Sequence, residues 1–183
     1  IPMGEDVETG NKNGNFWIDI KYDINHQNLY LHSNTRQPLH TDGSYESNPP
    51  DLSFFFCKIK AKFGGATTFL DLQILEQCME VECPLLLQQV KSESFLFSKG
   101  DDFKRAKILG SEICNWNFFR AEKSSVTQAF HDFLENRIHN MGLVKRVLLE
   151  PGDAVFFRDN AVLHGRDAFI GERWLRKGGI NIR

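Results

Sequence analysis

Nothing in the sequence is apolar for long enough to cross a bilayer as a helix. The longest such run, residues 52–57, is interrupted by Ser53, and a spanning helix needs about 20 residues. Neither sign of charge is in excess. Lys and Arg number 22 against 24 Asp and Glu, a formal net charge of −2, so no general attraction to a phosphate backbone is built in and a nucleic-acid partner is not expected. Cysteine is sparse, and Cys57, Cys78, Cys83 and Cys114 form no C-x-x-C pair. A chain of 183 residues buries a core without disulfide staples, so these four read as reduced, mostly buried thiols. No charged stretch followed by an apolar one opens the sequence, which makes a cytoplasmic location the expectation. Methionine, tyrosine and tryptophan occur three times each against sixteen phenylalanines, a bias that favours sheet cores. The length fits one domain over residues 1–183, with its N-terminal part expected to be incomplete because the first residue is Ile1 rather than Met.

What is present is a succession of short apolar segments separated by turn residues. Residues 1–15 are polar and rich in Gly and Asn, as a loop is. Residues 16–20 alternate like a half-buried strand, 29–32 is a second candidate, and 52–59 reads as a buried strand after the turn chemistry of 44–50. Gly64 and Gly65 interrupt before a strand at 66–70. Asp71 is an N-cap candidate for a helix carrying Leu72, Leu75, Cys78 and Met79, and Pro84 can open another. Strands are expected at 95–97 and 113–119, with a charged loop at 100–110 between them. Ser125 with Gln128 suggests a capping box for a helix whose face carries Val126, Ala129, Phe130, Phe133 and Ile138, closed by Gly142. Residues 144–149, 154–157, 161–163 and 174–182 supply the last strands, with turns at 151–153 and 158–160. Strands dominate and no repeat or linker is visible. The expected class is mainly β, a sandwich or jelly roll with helices added outside.

His40 and Asp42 are spaced i, i+2, which on a strand points both side chains to one face. With six His and twelve Asp in the chain, chance alone gives roughly 0.4 such pairs, so the pair by itself is weak evidence. Its surroundings strengthen it. The string QPLHTDGSYESNPPDLSFFF runs from a strand end through a Gly turn into an apolar strand, and LLEPGDAVFFRDNAVLHGR delivers His164 at the end of a strand pair. Two imidazoles and one carboxylate make a facial triad, which leaves one face of an octahedral metal open, as non-haem Fe(II) oxygenases need. A 2-oxo acid would chelate two of the open positions and leave the third for O₂. Its far carboxylate calls for a bidentate cation, which is Arg chemistry. Arg173 and Arg176 follow His164 on or near the last strand, and Thr67 after the Gly pair offers a hydroxyl.

At this point the sequence resembles the taurine dioxygenase and clavaminate synthase group of Fe(II)/2-oxoglutarate-dependent oxygenases. The resemblance runs from about Gln37 to the C-terminus and rests on LHTDG, GGATTFLD, PGDAVFFRDNAVLHGR and ERWLRK. It implies a double-stranded β-helix, the jelly roll, with flanking helices. It implies that His40, Asp42 and His164 match the iron ligands and that Thr67 and Arg173 match the contacts to 2-oxoglutarate. A second basic residue of the family falls on Lys177, with Arg176 as competitor. The segment between His164 and Arg173 is shorter than in clavaminate synthase-like relatives, and family members carry more sequence before the first strand. Halogenating members replace the carboxylate with a small residue, so Asp42 implies hydroxylation or another oxidative step, with succinate and CO₂ as co-products. The strings HGRDAF and RWL lean the substrate towards an amino acid or a compound derived from one, a small molecule in either case.

Other residues carry blander expectations. His26, His32, His131 and His139 have no partner motif, and Asp159 and Asn160 read as turn formers. Arg166 is a substrate contact or half of a structural salt bridge, and Arg158 is a lesser candidate for substrate. Phe54, Phe55 and Phe56 read as core; Trp116 and Phe118 as pocket or core. Loops at 44–50, 99–112 and 165–172 are the expected lid and substrate contacts. Two rival functions use the same residues. A zinc hydrolase could hold Zn²⁺ at the His₂Asp site and activate water, ignoring 2-oxoglutarate. A non-catalytic jelly-roll module could keep the scaffold and bind ligand equally well without metal.

Overall fold

The computed structural model describes residues 17–180 apart from Asn28, Asn48 and Glu112. The loop expected at 1–15 and the end of the last expected strand, beyond Ile180, lie outside the described residues. Two four-stranded antiparallel sheets carry the fold. In spatial order, one contains β1 (Ile18–Lys21), β12 (Trp174–Ile180), β3 (Leu52–Ile59) and β9 (Ala154–Phe157). The other contains β2 (Gln37–His40), β10 (Val162–Arg166), β5 (Thr67–Asp71) and β8 (Lys145–Val147). The chain crosses between sheets from β2 to β3 and again from β8 through β9 to β10, the winding of a jelly roll. Two short ribbons flank them: β4 (Phe63–Gly64) with β11 (Phe169–Ile170), and β6 (Phe95–Lys99) with β7 (Asp102–Ala106).

The strand alternation explains where the sheets face. On β3, Phe55 and Cys57 are buried while Phe54 and Phe56 are half-exposed, so the apolar run is a two-sided strand and only its odd positions are core. Phe55, Cys57, Leu149, Phe157 and Leu175 fill the space between the sheets, with Phe69 and Val155 packed against them. The β2–β10–β5 sheet is buried on both faces. Leu39, Leu70 and Leu163 turn outward into a larger core with the helices. These are α1 (Leu72–Glu82), α2 (Pro84–Ser92) and α3 (Ser125–Asp132), the last running on as a π-helix over Phe133–Ile138. Leu75, Met79, Val90, Phe130, Leu134 and Ile138 are completely shielded there, each worth roughly 1.5–3 kcal/mol of apolar transfer. Asp71 caps α1 by accepting from the Gln73 and Ile74 N–H groups, and Pro84 opens α2, both as expected.

Several local expectations fail for identifiable reasons. Residues 29–32 are a turn, closed by the His32 N–H on the Leu29 carbonyl. Residues 113–119 make only an isolated bridge, because their N–H groups are taken by loops: Cys114 donates to Asn160 and Asn115 to Ile108. The charged stretch 100–110 contains β7, folded back on β6 through Gly100 at φ 59°. The capping box is Ser124 with Thr127, one residue earlier than expected, and Ala129 is exposed. All four cysteines are free, Cys57 and Cys114 buried and the other two half-buried.

Candidate metal centre

β2 and β10 pair so that His40 and His164 are direct cross-strand neighbours, with ring centroids 4.3 Å apart. Gly165 makes this approach possible, since a Cβ there would lie 2.6 Å from the Gln37 carbonyl oxygen. Asp42 does not reach the site by strand alternation, as its spacing suggested. β2 ends at His40, and Asp42 sits in the turn beyond it. Its backbone N–H donates to Asp159 Oδ2 at 2.8 Å, which draws the turn back over β10. Asp42 Oδ1 then lies 3.7 Å from His40 Nε2, and Oδ2 lies 3.6 Å from His164 Nε2.

Asp159 is therefore more than a turn former. It is almost fully buried, and its Oδ1 stands 3.2 Å from His164 Nδ1 while its Oδ2 holds the Asp42 turn. The Nδ1–H of His40 has a matching acceptor, the Pro38 carbonyl at 2.9 Å. The His40 ring is thus held by Nδ1, Asp159 stands beside Nδ1 of His164, and both Nε2 atoms lie towards Asp42. The signal for Asp159 in the sequence was only its place five residues before His164, which a turn explains as well.

The basic residues of the last strand separate by face. Lys177 points inward, its Nζ 2.6 Å from Asp42 Oδ1. Arg176 points outward, where it stacks over Trp17 and meets Asp19. Arg173 precedes the strand and is buried. It donates from Nε to the Gly65 carbonyl at 3.1 Å and from Nη2 to Thr67 Oγ1 at 3.5 Å. Gly65 adopts φ 76°, and a Cβ on it would meet Arg173 Cδ at 3.1 Å, so the Gly pair is what lets this guanidinium lie against the chain. Arg166 pairs with no carboxylate among the described residues. It donates to the Tyr30 and Thr35 carbonyls and to Ser33 Oγ, and lies over the Phe169 ring.

These groups open onto a cavity of about 560 Å³, within the usual range for small-molecule sites. His40, Asp42, His164, Thr67, Arg173 and Lys177 all line it; Arg176 and Arg158 do not. Of the loops expected to touch substrate, 44–50 contributes Tyr45, 99–112 contributes Lys99, and 165–172 contributes Gly165 and Arg166. Two further wall segments, residues 29–35 and 117–120, are irregular where strands were expected at 29–32 and 113–119, and of their residues only Phe118 had been a pocket candidate. Phe118 faces the cavity, whereas Trp116 lies behind it, edge-on to Phe130 in the helical core. His26, His32, His131 and His139 lie outside the centre, as expected.

Burial, and then the nearby His164, push the His40 imidazole down to about 4. Burial works against ionisation of Asp42, but Lys177, His164 and His40 together hold its carboxyl well below the usual carboxylate range. Asp159 moves the opposite way, raised by burial and by the charge on Asp42. Burial, with Arg166 nearby, lowers Arg173 to about 9. The resulting set is two imidazoles, that of His40 neutral, and one carboxylate, whose donor atoms lie within 4.8 Å of one another. Asp42 Oδ2 is buried with no hydrogen-bond partner among the described residues, and such an orphaned acceptor is stabilised by a cation. Two imidazoles and a carboxylate this close together fit a divalent ion such as Fe(II), which His40, Asp42 and His164 would hold beside the cavity.

The family model "Taurine catabolism dioxygenase TauD, TfdA family" matches residues 1–105. The chain belongs to this family. In this TauD/TfdA member the matched span takes in His40, Asp42 and Thr67, and His164 and Arg173 lie beyond it. Gamma-butyrobetaine dioxygenase of Pseudomonas sp. (strain AK-1) is 28% identical over 149 residues, covering 72% of this chain and 39% of that protein. An asparagine oxygenase solved with Fe(II), 2S,3S-3-hydroxyasparagine and succinate superposes with a TM-score of 0.77 at 13% identity, over 91% of this chain and 56% of its own. The non-haem iron oxygenase OrfP, solved with Fe and alpha-ketoglutaric acid, superposes with a TM-score of 0.72 at 15% identity, over 98% of this chain and 60% of its own. The TauD/TfdA chain thus shares the fold of these oxygenases and spans less than two thirds of each relative's length.

Proposed function

We propose that this chain carries the core of a non-haem Fe(II)/2-oxoglutarate-dependent dioxygenase. Its reaction is hydroxylation of a C–H bond in a small molecule, with succinate and CO₂ as co-products. The observation that carries the reading is the co-location of the His40–Asp42–His164 cluster with a buried Arg173–Thr67 pair in one cavity. His40, Asp42 and His164 are the residues that would hold Fe(II). When bound, the ion supplies the redox chemistry that couples O₂ to decarboxylation of 2-oxoglutarate and oxidation of the substrate.

The chain's own residues do the rest. The Pro38 carbonyl accepts the Nδ1 proton of His40, and Asp159 beside Nδ1 of His164 orients that ring, which turns both Nε2 atoms to the centre. Arg173 already gives Nε to a carbonyl, and its remaining N–H groups, stripped of water, are matched by the far carboxylate of 2-oxoglutarate, with Thr67 beside it. Lys177 is the second basic residue facing this space and is preferred over Arg176. Phe55 and Phe157 pack against the His164 ring and exclude water from that side. An amino acid, or a compound derived from one, is the favoured substrate, supported by the amino-acid ligands of the asparagine oxygenase and OrfP structures. Four free thiols suit the reducing cytoplasm.

Anaerobic titration of Fe(II) and 2-oxoglutarate tests the reading. The expected result is a weak visible charge-transfer band near ~500 nm, as a bidentate ligand on an open facial site gives, and its loss in Asp42→Ala. No band, together with tight Zn²⁺ binding and indifference to 2-oxoglutarate, would favour the zinc hydrolase, which leaves Arg173 and Thr67 without a task.

A further inference from the structure

The two imidazoles of the cluster are supported unequally. His164 has a carboxylate beside its Nδ1, that of Asp159 at 3.2 Å. His40 has a backbone carbonyl there, that of Pro38 at 2.9 Å. The strand that carries His40 is also the less secure of the two. β2 lies at the end of its sheet, and among the described residues only β10 pairs with it. The register shifts within that pairing, and Pro38 inside the strand has no N–H to give. The backbone groups on the open side of β2 must find partners other than a strand.

One of those partners is Glu135. It belongs to the π-helix that continues α3, whose Phe133, Leu134 and Ile138 are buried in the helical core. The Glu135 side chain is 11% exposed and reaches β2. Its Oε1 accepts the Leu39 N–H at 3.3 Å, and its Oε2 lies 2.5 Å from Arg36 Nη1. Arg36 directly precedes β2 and also donates from Nη2 to His139 Nε2, one helical turn after Glu135. An ion pair with a half-exposed arginine contributes little by itself. What matters is which N–H the carboxylate holds. The Leu39 N–H and the Pro38 carbonyl are the two ends of one trans peptide group, planar and pointing opposite ways. The same plane therefore gives its N–H to Glu135 and takes the Nδ1 proton of His40.

We infer that Glu135 is a positioning residue for the metal centre, acting on His40 through the Pro38–Leu39 peptide. A carboxylate on the N–H of a peptide fixes its plane and polarises its carbonyl, which strengthens the bond that the carbonyl accepts. That bond sets the angle of the His40 ring and makes Nε2 the better donor to a cation. His164 has its carboxylate beside the ring, and His40 has one at the far end of a peptide. Arg36 keeps the Glu135 carboxylate at the strand. The inference rests on the proposed reading only in taking His40 for a metal ligand.

Two readings test it: Co(II) affinity, followed by the visible spectrum, and the Nδ1–H proton resonances of isotopically labelled histidines in the Zn²⁺-loaded protein. In Glu135→Ala, Co(II) binds about threefold to tenfold more weakly, less than the loss for a partner bonded to the ring itself. The His40 resonance moves upfield while that of His164 stays. Glu135→Gln keeps an acceptor for the Leu39 N–H and restores most of both. Arg36→Ala loses the ion pair but keeps that acceptor, and moves both less than Glu135→Ala does. A lower melting temperature with Co(II) affinity and the His40 resonance unchanged overturns the inference and leaves Glu135 a structural ion pair. Equal movement of the two histidine resonances also overturns it, since that reports general loosening. Should Glu135→Ala not fold, Glu135→Asp takes its place: one methylene shorter, it keeps the charge but withdraws from Leu39, and the same two readings decide. If the unaltered protein binds neither Co(II) nor Zn²⁺, the metal reading falls, and the His40 resonance of the metal-free variants decides the peptide relay alone.

Discussion

One wall of the cavity is sheet and the other is not. The sheet wall, from β2, β5, β10 and β12, presents His40, Thr67, His164 and Lys177 from paired strands in fixed register. The opposite wall, residues 29–35 and 117–120, has no ladder of its own and is held from outside. Arg166 anchors the first segment by three hydrogen bonds, and β6 holds the second through the Ser98 N–H. Chemistry that needs angstrom placement sits on the ladder. Contacts that differ from substrate to substrate sit on the wall that can change without moving the ladder.

Substitutions can break this division, beginning with the largest effect. Asp42→Ala removes the only carboxylate of the cluster and is expected to reduce Fe(II) affinity by about a hundredfold or more while far-ultraviolet circular dichroism stays native. Unaltered iron binding would remove Asp42 from the centre. Arg173→Ala is expected to raise the 2-oxoglutarate requirement by about a hundredfold, the loss of a buried bidentate charge pair. Arg176→Ala, on the outer face of β12, the strand that follows Arg173, should change it less than about twofold; the reverse ranking would show that Arg176 and not Arg173 is the 2-oxoglutarate contact. Asp159→Ala should lower metal affinity by about tenfold to a hundredfold, read with Co(II) by its visible spectrum, because His164 and the Asp42 turn lose a common anchor. A normal spectrum and affinity would make Asp159 a packing residue. Arg166→Leu should act on the irregular wall alone. Hydrogen exchange of amides 29–35 should speed up by about tenfold, with β10 amides unaffected; uniform acceleration would show the two walls to be one cooperative unit.

The same division decided what the sequence could reveal. His40, Thr67 and His164 stand on ladder positions, and Asp42 and Arg173 just outside them, and all five stood out because they belong to linked strings. Lys177 and Arg176 were left as competitors, and only the inward alternation of Leu175 and Lys177 separates them. Asp159 was hidden because a buried acceptor and a turn-forming Asp look alike in one dimension. The strand expected at 113–119 failed because its apolar residues pack on α3 and β6 without a ladder partner, and periodicity cannot report where backbone N–H groups go. The 29–35 wall is shaped by Arg166, more than a hundred residues away, and no local pattern encodes that.

His40 and Asp42 leave the ribosome well over a hundred residues before His164, and Arg173 and Lys177 come later still. β12, which carries Lys177, is also the strand that joins β1 to β3 in the first sheet. A nascent chain halted before residue 164 therefore holds two members of the cluster and an incomplete sheet. One late segment both joins the strands of the first sheet and brings the Lys177 ammonium to Asp42, so scaffold and cluster are completed together.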